Sequence, residues 1–181
     1  MAIIVVGGGG RGAGKTALVC GLVRAMPEIA WTAVKVTSHE HGKQTAIWEE
    51  TMPGDATDTA RYLAAGARRA LLVTADEGAL GPLVEQVLGE RPERGGVIFE
   101  SNGVLRVMQP DVCLCAALSP WTEMKPSHEL VLEHADATVE LAGHDHIIEA
   151  EKITFRLASM ERVSAVMLEW VRERLALAAE Q

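Results

Sequence analysis

The stretch IIVVGGGGRGAGKTALVCGLV, residues 3–23, runs four apolar residues into four consecutive glycines and sets a Lys-Thr pair ahead of a second apolar segment. Glycine loses more backbone freedom on folding than any other residue and builds no core, so bare backbone must be needed at that point. The spacing supplies the need. Gly9, four residues, then Gly14-Lys15-Thr16 match G-x-x-x-x-G-K-[ST], a loop that wraps an anion with its own N–H groups. Side chains beyond hydrogen would collide with the phosphates; Lys15 would reach the outer ones and the Thr16 hydroxyl would sit on Mg²⁺. A helix starting near Gly14 would add its positive end to the same site. The phosphate-binding residues are then Gly9, Gly10, Arg11, Gly12, Ala13, Gly14, Lys15, Thr16 and Ala17. Ile3 to Val6 read as a fully buried parallel strand. Ala17, Leu18, Leu22 and Val23 recur at helical spacing, so strand and helix flank the loop in the required order.

Bulk properties set limits. A chain of 181 residues reads as one domain, 1–181, with room for a substantial core. Its 48 % hydrophobic but only 4 % aromatic content points to a core of Val, Leu, Ile and Ala. A net charge of −8 argues against a broad nucleic-acid footprint, which needs clustered Lys and Arg. No run approaches a membrane span, and the first apolar run ends in the glycine loop, unlike a signal peptide. Three cysteines, an odd number, fit a reducing, cytoplasmic setting. Cys113 and Cys115 share one strand face and read as small buried hydrophobes, with a metal or redox pair as the alternative.

Further along, Trp31–Thr37 reads as a strand, followed by a long polar, His-bearing loop up to Pro53-Gly54. Asp55 or Thr57 would cap a helix through DTARYLAAGA, stopped at Gly66. RALLVT, GGVIFES, DVCLCAAL and ATVEL read as strands, and ALGPLVEQVLGE as a helix with Pro82 in its first turn. SHELVLEHA makes a short helix, HIIEAEKITFRLA a short strand or hairpin, and Met160–Ala179 a closing helix. This alternation implies an α/β fold, a three-layer sandwich with a mostly parallel sheet and helices on both faces, of the P-loop NTPase type. Ligands bind such sheets at the carboxyl ends of the strands. That filter selects Gly9–Thr16, Thr37–His41, Thr74–Glu77, Glu100–Asn102 and Ser119–Lys125.

Glu100, directly after a buried strand, can hold Mg²⁺ with Thr16 or orient a nucleophile. Asp58 is a second metal or base group, with simple helix capping as its alternative. Lys15, Glu100 and Asp58 are therefore the catalytic candidates. Lys35, His39, His41 and Lys43 place cationic or titratable groups near the phosphate end, where substrate would lie. The His39-x-His41 spacing also admits a metal reading, although zinc needs further ligands. His144-Asp145-His146 reads as a polar turn. Trp121 and Lys125 could hold a nucleotide base, or belong to a plain surface loop.

Taken together, the glycine loop, KVTSHEHG and PGDATDTARYLAAGA resemble the MobB family of molybdopterin-guanine dinucleotide biosynthesis proteins, over roughly the first 75 residues. The matching positions are Lys35, Thr37 and His39, then Pro53, Gly54, Asp58, Thr59, Arg61, Ala65, Gly66 and Ala67. The resemblance implies a GTP-binding protein with weak GTPase activity that assists attachment of a nucleotide to molybdopterin. It also implies a homodimer, a pterin-cofactor assembly protein as partner, and Arg61 among the substrate contacts. Glu40 separates His39 from His41, where the family sets its histidines side by side. The second half is similar instead to the wider class containing metallochaperone GTPases and dethiobiotin synthetase; Gly9 and Gly10 stand where that class often carries an extra lysine. The expected function is Mg²⁺-dependent binding and slow hydrolysis of GTP or ATP. The alternatives are a small-molecule kinase with its acceptor at the His39 loop, and a nucleotide-gated binding module.

Overall fold

A computed structural model of the chain describes residues 2–10, 12–38, 45–92, 95–117, 126–148 and 152–179. Ile3 to Val6 lie in β1 (Ala2–Gly8), buried on both faces as the middle strand of a parallel sheet must be. The glycine loop leads into α1 (Lys15–Ala25). There follow β2 (Ala30–Ser38), β3 (Ala46–Glu49), α2 (Asp58–Ala64), β4 (Arg69–Ala75), α3 (Glu77–Gly89) and β5 (Gly95–Glu100). A short 3-10 turn at Gly103–Arg106 precedes β6 (Val112–Ala117) and α4 (Pro126–His134). The chain closes with β7 (Ala137–Leu141), β8 (His146–Ile148), β9 (Ile153–Leu157) and α5 (Ala165–Ala179).

Among the described residues, nine strands form one sheet in the order β3-β4-β2-β5-β1-β6-β7-β9-β8. All neighbours are parallel except the two edge strands, β3 against β4 and β8 against β9. Leu18, Leu22, Tyr62, Met167 and Val171 of α1, α2 and α5 pack one face. Leu80 and Val84 of α3 and Val131 of α4 pack the other. This is the three-layer α/β sandwich that the alternating pattern predicts. Cys113 and Cys115 both face the α3–α4 layer and are buried. Burial, then the Asp136 charge, pushes the Cys113 thiol up to about 12; burial pushes Cys115 up to about 11, so both are neutral small hydrophobes. No helix of the described residues is long and apolar enough to cross a membrane.

Three boundaries differ from the sequence reading. The polar segment before Gly54 contains a strand, β3, which its pattern conceals because Trp48 and Glu49 both face solvent. Strand β3 pairs with β4 through its backbone and packs Ile47 on the core, and Glu49 takes two hydrogen bonds from Arg69, each 2.9 Å, across the strand pair. Helix α3 begins at Glu77, capped by the Asp76 carboxylate, which accepts from Ala79 N at 2.9 Å. Pro82 is therefore inside the helix and not in its first turn. Helix α5 starts at Ala165, after Ser164 accepts from Met167 N at 3.3 Å; Met160 belongs to the preceding turn. The region around 146–157 resolves into the β8–β9 hairpin. Asp76→Ala should remove the α3 cap and lower stability by about 1 kcal/mol in urea unfolding, with the denaturant slope unchanged.

Candidate functional site

The parallel register sets the carboxyl ends of β1, β2, β5 and β6 along one edge of the sheet, with Val6 opposite Glu100, Lys35 opposite Glu100, and Gly8 opposite Ala116. The glycine loop leaves β1 at this edge. Gly12 and Gly14 have φ of 80° and 82°, a left-handed backbone that only glycine adopts without strain. A Cβ on Gly14 would also stand 2.9 Å from Met160 Cγ. The Lys15 ammonium curls back to donate to Gly10 O at 2.5 Å. Asn102 holds the base of the loop: its Oδ1 accepts from Gly8 N at 2.9 Å and its Nδ2 donates to Gly8 O at 3.0 Å. The side-chain amide thus continues the β1–β5 ladder beyond the last strand residue, and its Nδ2 also donates to Ser127 Oγ at 3.2 Å.

Beside the loop, five side chains from four elements close on one point. Thr16 Oγ1, in the first turn of α1, lies 2.8 Å from Glu100 Oε2 and 3.1 Å from Asp58 Oδ1. The Lys35 ammonium, from β2, lies 3.0 Å from Asp58 Oδ2 and donates to Glu100 Oε1. Tyr62 OH, from α2, donates to Glu100 Oε2. Glu100 is 2 % exposed, the Lys35 side chain 20 % and Asp58 39 %, so the cluster opens on the Asp58 side. Thr57, not Asp58, caps α2: its hydroxyl accepts from Ala60 N at 3.0 Å, which leaves the Asp58 carboxylate free to turn toward Thr16. Gly66, at φ 106°, ends that helix as expected.

The electrostatics follow from this packing. Burial alone would pull the Lys35 ammonium down, but the Glu100 charge and the hydrogen bonds that Lys35 donates to Glu100 and Asp58 outweigh it and raise the pKa. Burial would raise Asp58, yet the Lys35 hydrogen bond and charge, then Thr16 and Arg61, hold it below its ordinary value. One ammonium between two carboxylates leaves an excess of negative charge. The donor set fits Mg²⁺. Every group facing Thr16 Oγ1 through these contacts is a carboxylate oxygen, and a single hydroxyl proton serves only one of them at a time.

The structure therefore brings together Lys15, Thr16, Lys35, Asp58 and Glu100. Arg61 goes elsewhere, its guanidinium held by Glu161 at 3.0 Å in the turn before α5. Arg11, His39, His41, Lys43, Trp121 and Lys125 lie outside the described residues. Asp145 ties its turn to the end of β9, accepting from Ala158 N at 2.7 Å. Sequence reading places Asn102 among the strand-end residues that line the site but gives no role to Tyr62 or His128. Tyr62 had a signal, since it stands one turn beyond Asp58 on the same helix face. His128, in the first turn of α4, had none. It is buried against the loop, where a Cβ on Gly9 would lie 3.6 Å from its Cε1. Burial holds the imidazole below its ordinary pKa, against a hydrogen bond at Gly8 and with the Lys15 charge.

Among solved structures, the chain is similar to LpxK from Aquifex aeolicus, determined in complex with ATP, with a TM-score of 0.55 and 17 % sequence identity. The match covers 86 % of this chain and 53 % of LpxK, so the chain spans about half the length of that protein. At this identity the likeness establishes the fold alone, an α/β fold with a mostly parallel sheet. No family model matches the chain, and no curated protein matches it.

Lys35→Met should leave the buried Glu100 carboxylate without its cation and cost about 3–5 kcal/mol in denaturant unfolding. A second expectation concerns acid. Because His128 binds its proton less readily when folded, stability should fall as pH drops below about 6.5, and His128→Gln should flatten that limb of the profile.

Proposed function

We propose that the chain binds a Mg²⁺–purine nucleoside triphosphate, GTP or ATP, and hydrolyses it slowly in the service of molybdopterin-guanine dinucleotide assembly. The observation that carries the nucleotide reading is the meeting of Thr16, Glu100 and Asp58 beside a loop whose lysine stands ready at 2.5 Å from the loop's own carbonyl. The N–H groups from Gly12 to Thr16 would hold the β-phosphate at the start of α1. Lys15 would leave Gly10 O for the β- and γ-oxygens and neutralise charge that builds between them in the transition state. Thr16 and Glu100, with Asp58 beside them, would hold Mg²⁺, which when bound would neutralise the outer phosphates. The metal end would then lie on the β5–β2 side of the loop.

The pterin assignment is supported by the two runs that carry the family resemblance. KVTSHEHG contributes Lys35 and PGDATDTARYLAAGA contributes Asp58, and these two side chains pair at 3.0 Å beside Thr16. Low turnover is supported by Arg61, whose guanidinium is engaged by Glu161. A second reading, phosphoryl transfer to a small acceptor, is favoured by Asp58: its carboxylate is open to an incoming hydroxyl, whereas Glu100 is sealed.

A thermal-shift panel of ATP, GTP, their diphosphates and molybdopterin-type ligands, with and without Mg²⁺, tests the proposal. Stabilisation by a triphosphate with Mg²⁺ is expected, about 2.7 kcal/mol at a hundredfold excess over Kd. Lys15→Ala should stay folded and lose that stabilisation; equal binding and turnover in Lys15→Ala overturns the proposal. Phosphate release without acceptor marks the hydrolase; conversion of triphosphate to diphosphate only when an acceptor is present, with the γ-phosphoryl group on the acceptor and no free phosphate, marks the kinase.

A further inference from the structure

We infer that Tyr62 is the positioning residue of the metal end, holding the Glu100 carboxylate in the orientation that lets Thr16 and Glu100 share a Mg²⁺ ion. The inference rests on the Mg²⁺–nucleotide reading above and deepens it. A carboxylate carries two oxygens with about four acceptor directions, and its torsion is fixed only by what it accepts. Here Oε1 accepts from Lys35, and Oε2 accepts from both Thr16, at 2.8 Å, and Tyr62. Two of those partners belong to the chemistry. Thr16 is the hydroxyl that a cation would draw on, and the Lys35 ammonium also bonds Asp58, so its bond to Glu100 changes when Asp58 turns to a ligand. Tyr62 alone is committed. Its ring is fully buried in the α1–α2–α5 layer, and a buried phenol needs a polar partner, which Glu100 supplies.

The arrangement also explains why α2 is placed as it is. Asp58 and Tyr62 stand four residues apart, so one helix face delivers a carboxylate to Thr16 and a phenol to Glu100. Glu100 is thereby gripped from the helix layer by Tyr62 as well as from the neighbouring strand β2 by Lys35. Without the phenol, Oε2 would keep Thr16 as its single protein donor and would turn with it.

Tyr62→Phe keeps the ring and deletes only the hydroxyl, and a double-mutant cycle with Glu100→Gln isolates the path of its effect. The readouts are the Mg²⁺ concentration that half-saturates the triphosphate-induced thermal shift, and the affinity for metal-free diphosphate. Tyr62→Phe should raise the Mg²⁺ requirement about tenfold, leave diphosphate affinity unchanged, and add nothing in the Glu100→Gln background. An unchanged Mg²⁺ requirement, or an equal further loss in Glu100→Gln, overturns the inference. If Tyr62→Phe does not fold, 3-fluorotyrosine serves instead, because the chain has a single tyrosine and gives one fluorine resonance. That resonance should move with Mg²⁺ in the presence of triphosphate, along the same saturation curve as the thermal shift; a resonance indifferent to Mg²⁺ overturns the inference. Failure of the parent chain to take up any nucleotide would overturn the nucleotide reading and this inference together, whereas normal uptake with unmoved Mg²⁺ demand overturns this one alone.

Discussion

Glu100 sits at the end of the strand beside β1, and its carboxylate is almost wholly removed from water. An unpaired charge in that position would cost several kcal/mol, so the fold must bring partners to it. It does so from three directions: an ammonium from β2, a phenol from α2 and a hydroxyl from α1. Each partner fixes a relation between elements that apolar packing alone would leave looser. The Lys35 bond adds to the β2–β5 register, the Thr16 bond sets the rotation of α1, and the Tyr62 bond sets the rotation of α2. The same demand therefore orders the core and assembles the site.

The glycine loop depends on that order but contributes a different constraint. Its left-handed glycines and the Met160 contact at Gly14 dictate where α1 may start, and the Asn102 amide dictates where β1 stops. At Gly12 and Gly14 the positive φ leaves bare backbone where a side chain would otherwise stand. His128 underneath adds a neutral, buried contact on the side away from solvent.

The parts legible in the sequence were those governed by local rules. The loop motif, the buried strands and the helix stop at Gly66 each follow from spacing or from glycine's freedom, and the structure places them as expected. Asp58 was legible as a functional candidate although its capping alternative was equally natural, and only the geometry separates them by giving the cap to Thr57. The misses are nonlocal. Strand β3 pairs with β4 and bonds Arg69, twenty residues away, and its own pattern carries no alternation. Tyr62 and His128 act through partners 38 and about 120 positions distant in sequence, a separation that no periodicity records. Helix α3 is where ALGPLVEQVLGE predicts it but begins at Glu77, two residues before Ala79, because the carboxylate of Asp76 caps it and so leaves Pro82 beyond the first turn.

The antiparallel borders of the sheet carry a consequence for how copies of the molecule meet. A long parallel edge would offer a row of unsatisfied amides to any extended chain in solution, the opening move of fibre growth. Here both margins end in stubs, β3 of four residues and β8 of three, too short to template more than a residue or two of intermolecular pairing. Among the described residues, then, the borders of the sheet offer a second copy only a few backbone groups to pair with.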